Sequence, residues 1–130
     1  MRVNHLICRN LAQIGPACDQ LPNACGEFGT TITNPIPVNG PYGETVYINN
    51  LRSKSGVGFF YHRIGSDPSP VSSTSIDVFE LVSIDASQYA VLYFSMYHPR
   101  RSIKVSSGFS RRSWSSMKDI EKVFSKLDGF

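Results

Sequence analysis

The chain has 130 residues, 41% of them hydrophobic and 18% charged, with eight phenylalanines, six tyrosines and one tryptophan. That composition supplies one hydrophobic core rather than two and excludes wholesale disorder, so a single domain spanning 1–130 is expected. The formal net charge is only +3, and no apolar run approaches the roughly 20 residues of a membrane-crossing helix, so a membrane partner is not expected.

Residues 1–40 are loop-rich. Val3, Ile7, Leu11 and Ile14 fall at helical spacing, yet Val3 to Cys8 also reads as a strand, and Gly15-Pro16 stops either one. Asn4, His5 and Arg9 interrupt the apolar stretch that a secretory signal needs, so a cytoplasmic location is expected. Cys8, Cys18 and Cys25 are odd in number and lack CxxC spacing, which points to reduced thiols, with a Cys18–Cys25 bridge as the alternative. Between Leu21 and Gly43, eight prolines and glycines exclude a long helix.

A short helix is predicted over Tyr42 to Arg52, where Glu44, Tyr47, Ile48 and Leu51 recur at three- and four-residue steps after Pro41. Three strand signals follow: Val57 to Ile64, Ser75 to Ile84 and Tyr89 to His98, each rich in β-branched and aromatic residues and separated by turn formers at 65–70 and 85–88. This is the pattern of an antiparallel meander. Placing Ile84 opposite Tyr89 puts Phe79, Leu81, Ala90, Leu92, Phe94 and Met96 on one face, the predicted core. The other face carries Val78, Glu80, Val82, Ile84, Tyr89, Val91, Tyr93 and Tyr97, too apolar to stay in water, so a helix or a second subunit is expected to cover it. Residues 99–112 form a basic loop, with a short fourth strand at Ser102 to Val105 as an option. Last, Met117, Ile120, Val123, Phe124 and Leu127 form the stripe of a C-terminal helix. The fold class is therefore α+β: a three- to four-stranded antiparallel sheet packed with a C-terminal helix and one or two shorter helices.

Charge is unevenly placed along this frame. Residues 1–99 carry five basic and seven acidic side chains, a balance of −2, and residues 100–130 carry eight and three, a balance of +5. Arg100, Arg101, Lys104, Arg111 and Arg112 occur without an intervening acid, so this segment either tracks phosphates or solvates a surface. His98 and Arg100 lie where the third strand ends and side chains can enter a cleft. Arginine there can clamp a carboxylate or phosphate, and in the expected register Asp77 sits diagonally from His98, as an orienting carboxylate would. His62 and Arg63 must face opposite sides of the first strand, and Glu80 is the partner expected for Arg63. The predicted ligand-binding set is His62, Asp77, His98 and Arg100. No metal-ligand spacing, nucleotide loop, serine-hydrolase elbow or cofactor motif is present. Asn39-Gly40-Pro41-Tyr42-Gly43-Glu44 reads either as an anion cradle or simply as a helix entry.

The stretch Asn34-Pro35-Ile36-Pro37-Val38-Asn39-Gly40-Pro41, then Gly43-Glu44, Phe60-Tyr61-His62-Arg63-Ile64-Gly65-Ser66, Asp77-Val78-Phe79-Glu80 and Met96-Tyr97-His98-Pro99-Arg100-Arg101-Ser102 resembles a group of small uncharacterised proteins encoded in bacterial integron gene cassettes. The likeness covers roughly residues 31–107. It implies a bacterial, cytosolic accessory protein of a mobile element, compact and homo-oligomeric, and carries over no catalytic residues. The leading expectation is a homodimeric binding module for an anionic small molecule or a protein partner. Its rivals are an enzyme built on His62, Asp77, His98 and Arg100, and an electrostatic binder of nucleic acid through 100–112.

Overall fold

A computed structural model describes residues 19–112. The expected N-terminal segment Val3 to Ile14, Cys8, Cys18 and the C-terminal helix lie outside them. The elements run β1 (Ile36–Pro37), α1 (Gly40–Asn49), β2 (Leu51–Arg52), β3 (Phe59–Ser69), β4 (Ser72–Ser83), β5 (Tyr89–Ser95) and β6 (Ser110–Arg111). Four strands form one sheet in the order β1-β5-β4-β3, antiparallel except for β1 on β5, and β2 pairs with β6. The described residues form an α+β fold with a mostly antiparallel sheet and one short helix. No helix among the described residues is long and apolar enough to cross a membrane.

The meander forms with two corrections. β3 continues through 65–69, where a turn was expected, because irregularities between Arg63 and Gly65 and between Asp67 and Ser69 absorb the glycine and proline without ending the strand. At the second turn Val82, not Ile84, stands opposite Tyr89. The Ser83 amide donates to the Gln88 carbonyl at 2.8 Å, and Asp85 accepts from the hydroxyls of Ser83, Ser55 and Ser87, so residues 84–87 are consumed by the turn. A shift of two residues leaves every side chain on its expected face. Phe79, Leu81, Leu92 and Phe94 are accordingly buried, and Met96 packs partly buried against them.

The fourth strand is not Ser102 to Val105, which is irregular, but Ile36–Pro37 beside Phe94 and Ser95. Proline is tolerated there because β1 is an edge strand, where one amide can be missing from the ladder. Helix α1 begins two residues earlier than expected, with Pro41 in its first turn, and ends at Asn49. Its Tyr47 and Ile48, with Leu51 after it, close the core over Phe59, Phe79 and Phe94. Gly29 ties the preceding loop down: its carbonyl accepts from the Tyr93 amide at 2.9 Å, its φ is +81°, and a Cβ there would strike the Ser106 hydroxyl and Ile36. The opposite face of β3–β5 leaves Phe60, Tyr89 and Ile84 more than half exposed.

Candidate anion site

After β5 the chain turns back across the helix end. The Ser102 amide donates to Pro37 O at 2.8 Å, the Ser102 hydroxyl to Asp19 O at 2.8 Å, and the Ile103 amide to Asp19 Oδ1 at 3.0 Å. Tyr47, deep in α1, donates its hydroxyl to Lys104 O at 2.6 Å. Burial pushes that phenol well above the usual range, so it stays a donor. Arg111 on β6 reaches the same arm, its Nη1 donating to Ile103 O at 3.3 Å. Residues 99–103 are thereby held as an arm over the C-terminal end of α1.

A cavity of about 310 Å³ lies between arm and helix. Arg100, Arg101 and Arg111 line it beside Asn39 and Asn50, and Leu51 and Ile103 supply apolar wall. Arg100 is engaged: its Nη1 lies 2.6 Å from Asp19 Oδ1. Burial works to raise the Asp19 carboxyl, but the Arg100 hydrogen bond, the Ile103 amide and the charges of Arg100 and Arg111 outweigh it and hold the group below the usual carboxylate range. Arg101 differs from its neighbours in that its guanidinium makes no hydrogen bond or ion pair among the described residues. Three guanidiniums thus meet one carboxylate, and the excess positive charge faces a partly apolar hollow. Such a lining suits an anion with an organic body.

The four predicted site residues do not come together. His98 sits past the end of β5 with Nε2 2.8 Å from the Ser95 hydroxyl, and it does not line the cavity. The expected diagonal between His98 and Asp77 is not formed, because Asp77 stands opposite Phe94. Asp77 is buried on the helix side, 3.2 Å from Arg63 Nη2 and hydrogen-bonded to the buried carboxyl of Glu44 on α1. His62 lies on the opposite face, its Nε2 3.2 Å from Glu80 Oε1, while Tyr89 donates to Glu80 Oε2 at 2.9 Å. Glu80 is therefore the partner of His62 rather than of Arg63, as strand alternation requires. Only Arg100 of the predicted set reaches the cavity. Arg101 and Arg111 stand out in sequence only as members of the basic run, and the pairing of β6 with β2 that brings Arg111 in has no signal in the sequence.

Among the described residues no group of three or more histidine, cysteine or acidic side chains could hold a metal ion. No protein-family model, curated protein or solved structure matches the chain.

Proposed function

We propose that the protein binds a small organic anion, a phosphate monoester or carboxylate with an apolar body, in the cavity between α1 and the 99–103 arm. The observation that carries this reading is the Arg101 guanidinium, which has no hydrogen-bond or ion-pair partner among the described residues and is flanked in the cavity by Arg100 and Arg111. A guanidinium left free in a recess gains charge-assisted, two-pronged hydrogen bonds from an entering oxyanion, whereas one already paired must first give up its partner. Asp19 orients Arg100 and sits behind the lining, where it offsets part of the charge without occupying the hollow. In this reading the chain is a cytoplasmic accessory protein of the integron-cassette kind, acting as a homo-oligomer. The segment that carries that resemblance includes Arg100 and Arg101.

Isothermal titration with phenyl phosphate and with inorganic phosphate tests the assignment. Phenyl phosphate is expected to bind saturably at one site per chain and more tightly than inorganic phosphate, because Leu51 and Ile103 receive the ring. Arg101→Gln is expected to weaken binding about tenfold or more, equivalent to roughly 1.4 kcal/mol. Equal affinity in the variant would overturn the assignment.

A further inference from the structure

We infer that the oxyanion in this cavity is the terminal phosphate monoester of a single-stranded nucleic acid, whose following phosphates lie over the β2–β6 ribbon. This rests on the anion-site reading above and names the molecule that carries the anion. Arg100, Arg101 and Arg111 against the one carboxylate of Asp19 leave the site two positive charges in excess. A phosphate monoester carries close to two negative charges near neutral pH, whereas a phosphodiester inside a strand carries one. The end of a strand therefore matches the site, and its interior leaves half the charge unmet. The rest of the lining suits a nucleoside. Asn39 and Asn50 offer amide donors and acceptors of the kind that bond to a base edge or a sugar, and Asn39 makes no side-chain bond to the helix it precedes. Leu51 and Ile103 can lie against a ring. Asn39 is bridged to Tyr97, and residues directly opposite one another in an antiparallel pair point to the same side, so the Tyr97 ring stands on the cavity side of the chain, 65% exposed. There it can stack on the next base, which only an unpaired strand presents.

Beyond the cavity the basic character continues on residues distant in sequence. β6 pairs with β2 so that Leu51 is opposite Arg111 and Arg52 is opposite Ser110. The first pair lines the cavity, and the second therefore faces outward. Arg112, two positions after Ser110, returns to that outward face; burial first, and then the charge of Arg112, hold the Arg52 guanidinium below its usual range. Lys54 lies alongside, where a Cβ on Gly108 would sit 3.2 Å from its Cε. Arg52 directs its hydrogen bonds to two neutral carbonyls, Asn49 O at 2.9 Å and Leu51 O at 2.7 Å. Arg52, Lys54, Arg101 and Arg111 form no ion pair among the described residues. Cations inside a recess and on the ribbon beside it suit a chain of phosphates that leaves the recess. A lipid headgroup in a bilayer would use neither the asparagines nor Tyr97.

Fluorescence anisotropy of the full chain with an oligothymidylate of about 12 nucleotides, labelled on an internal base, tests the inference. Strands with a 5′-phosphate, a 3′-phosphate or no terminal phosphate are compared, and one phosphorylated end is expected to bind at least about tenfold more tightly than the bare strand. Tyr97→Ala is expected to weaken that strand about tenfold. Arg52→Gln with Lys54→Gln is expected to weaken it about tenfold and to reduce the slope of log affinity against log salt by about 1.4, the share of two phosphate contacts on a single strand. Arg52→Lys with Lys54→Arg changes the bonds at the helix end but keeps both charges, and is expected to keep the slope. Equal losses in the two double variants would overturn the role of the ribbon. No saturable binding of any strand, equal affinity with and without a terminal phosphate, tighter binding once the strand is paired into a duplex, or binding of anionic phospholipid vesicles in place of the strand would each overturn the inference. Arg52 and Lys54 do not line the cavity, so their variants are expected to keep the phenyl phosphate affinity of the unmodified chain. Phenyl phosphate binding without any preference for phosphorylated strands removes the nucleic acid and leaves the anion site, whereas loss of both removes the site itself.

Discussion

Glu44 on α1 and Asp77 on β4 hydrogen-bond to one another inside the fold, while Arg63 reaches Asp77 from the neighbouring strand. Glu44 is 2% exposed, and its Oε2 has no hydrogen-bond partner among the described residues. Burial, the hydrogen bond with Asp77 and the charge of Asp77 all favour its neutral form. Arg63 opposes them only in part. The helix is therefore docked on the sheet through a carboxylic acid that holds its proton.

That proton makes stability depend on pH in a defined direction. The Glu44 carboxyl is pushed from an ordinary 4.5 up to about 9 in the folded chain, so the folded state holds the proton where the unfolded state has released it. The contribution is complete below 4.5 and is lost as pH rises through about 9. Urea unfolding between pH 5 and 9 is expected to show falling stability, with a limiting slope of about 1.4 kcal/mol per unit. Glu44→Gln keeps a neutral donor toward Asp77 and is expected to flatten that slope and raise stability at pH 8. A flat profile for the unmodified chain would contradict this account of the pair.

Leu92 is 1% exposed and stands opposite Phe79 at the centre of the core. Leu92→Ala is expected to cost roughly 2–5 kcal/mol in equilibrium denaturation, from the lost burial and the cavity it leaves. A cost below about 1 kcal/mol would mean that the register of β4 and β5 is other than described.

How far this was legible in the sequence depends on how local each determinant is. The alternation in Ile76–Leu81 and Tyr89–Phe94 assigns faces whatever the exact register, which is why a two-residue error at the 84–88 turn left the core intact. The turn takes up two more residues than its local sequence indicates because Asp85 gathers three serine hydroxyls, one of them from Ser55, thirty residues away. His62, Asp77 and His98 each stand out singly in the sequence, but a sheet has two sides, and strand alternation sends His62 and Asp77 to different ones. The cavity needs β1 beside β5, β6 beside β2, and Tyr47 bonded to Lys104 across 57 positions. None of these contacts leaves a periodic trace.

Tyr47→Phe removes only the hydroxyl that anchors the arm at Lys104 O. A loss of about 1 kcal/mol in stability is expected, as for one buried hydrogen bond. Because the arm carries Arg100 and Arg101, phenyl phosphate affinity is expected to fall as well, although the hydroxyl need not touch the ligand. Titration calorimetry together with denaturation separates the two effects, and unchanged affinity would show that the arm holds its position without this bond.

The guanidinium of Arg101 is the group on which the anion reading stands, and its own Nε–H resonance reports on it most directly. In a nitrogen–proton correlation spectrum of the labelled full chain, stepwise addition of phenyl phosphate is expected to move the arginine Nε–H signals of Arg100, Arg101 and Arg111 along saturable curves with one shared dissociation constant. The Arg101 signal, identified by its absence in Arg101→Gln, is expected to move furthest, since that side chain has no partner among the described residues to give up. Shifts that grow linearly without saturation, or an Arg101 signal that stays in place while others move, would contradict the account.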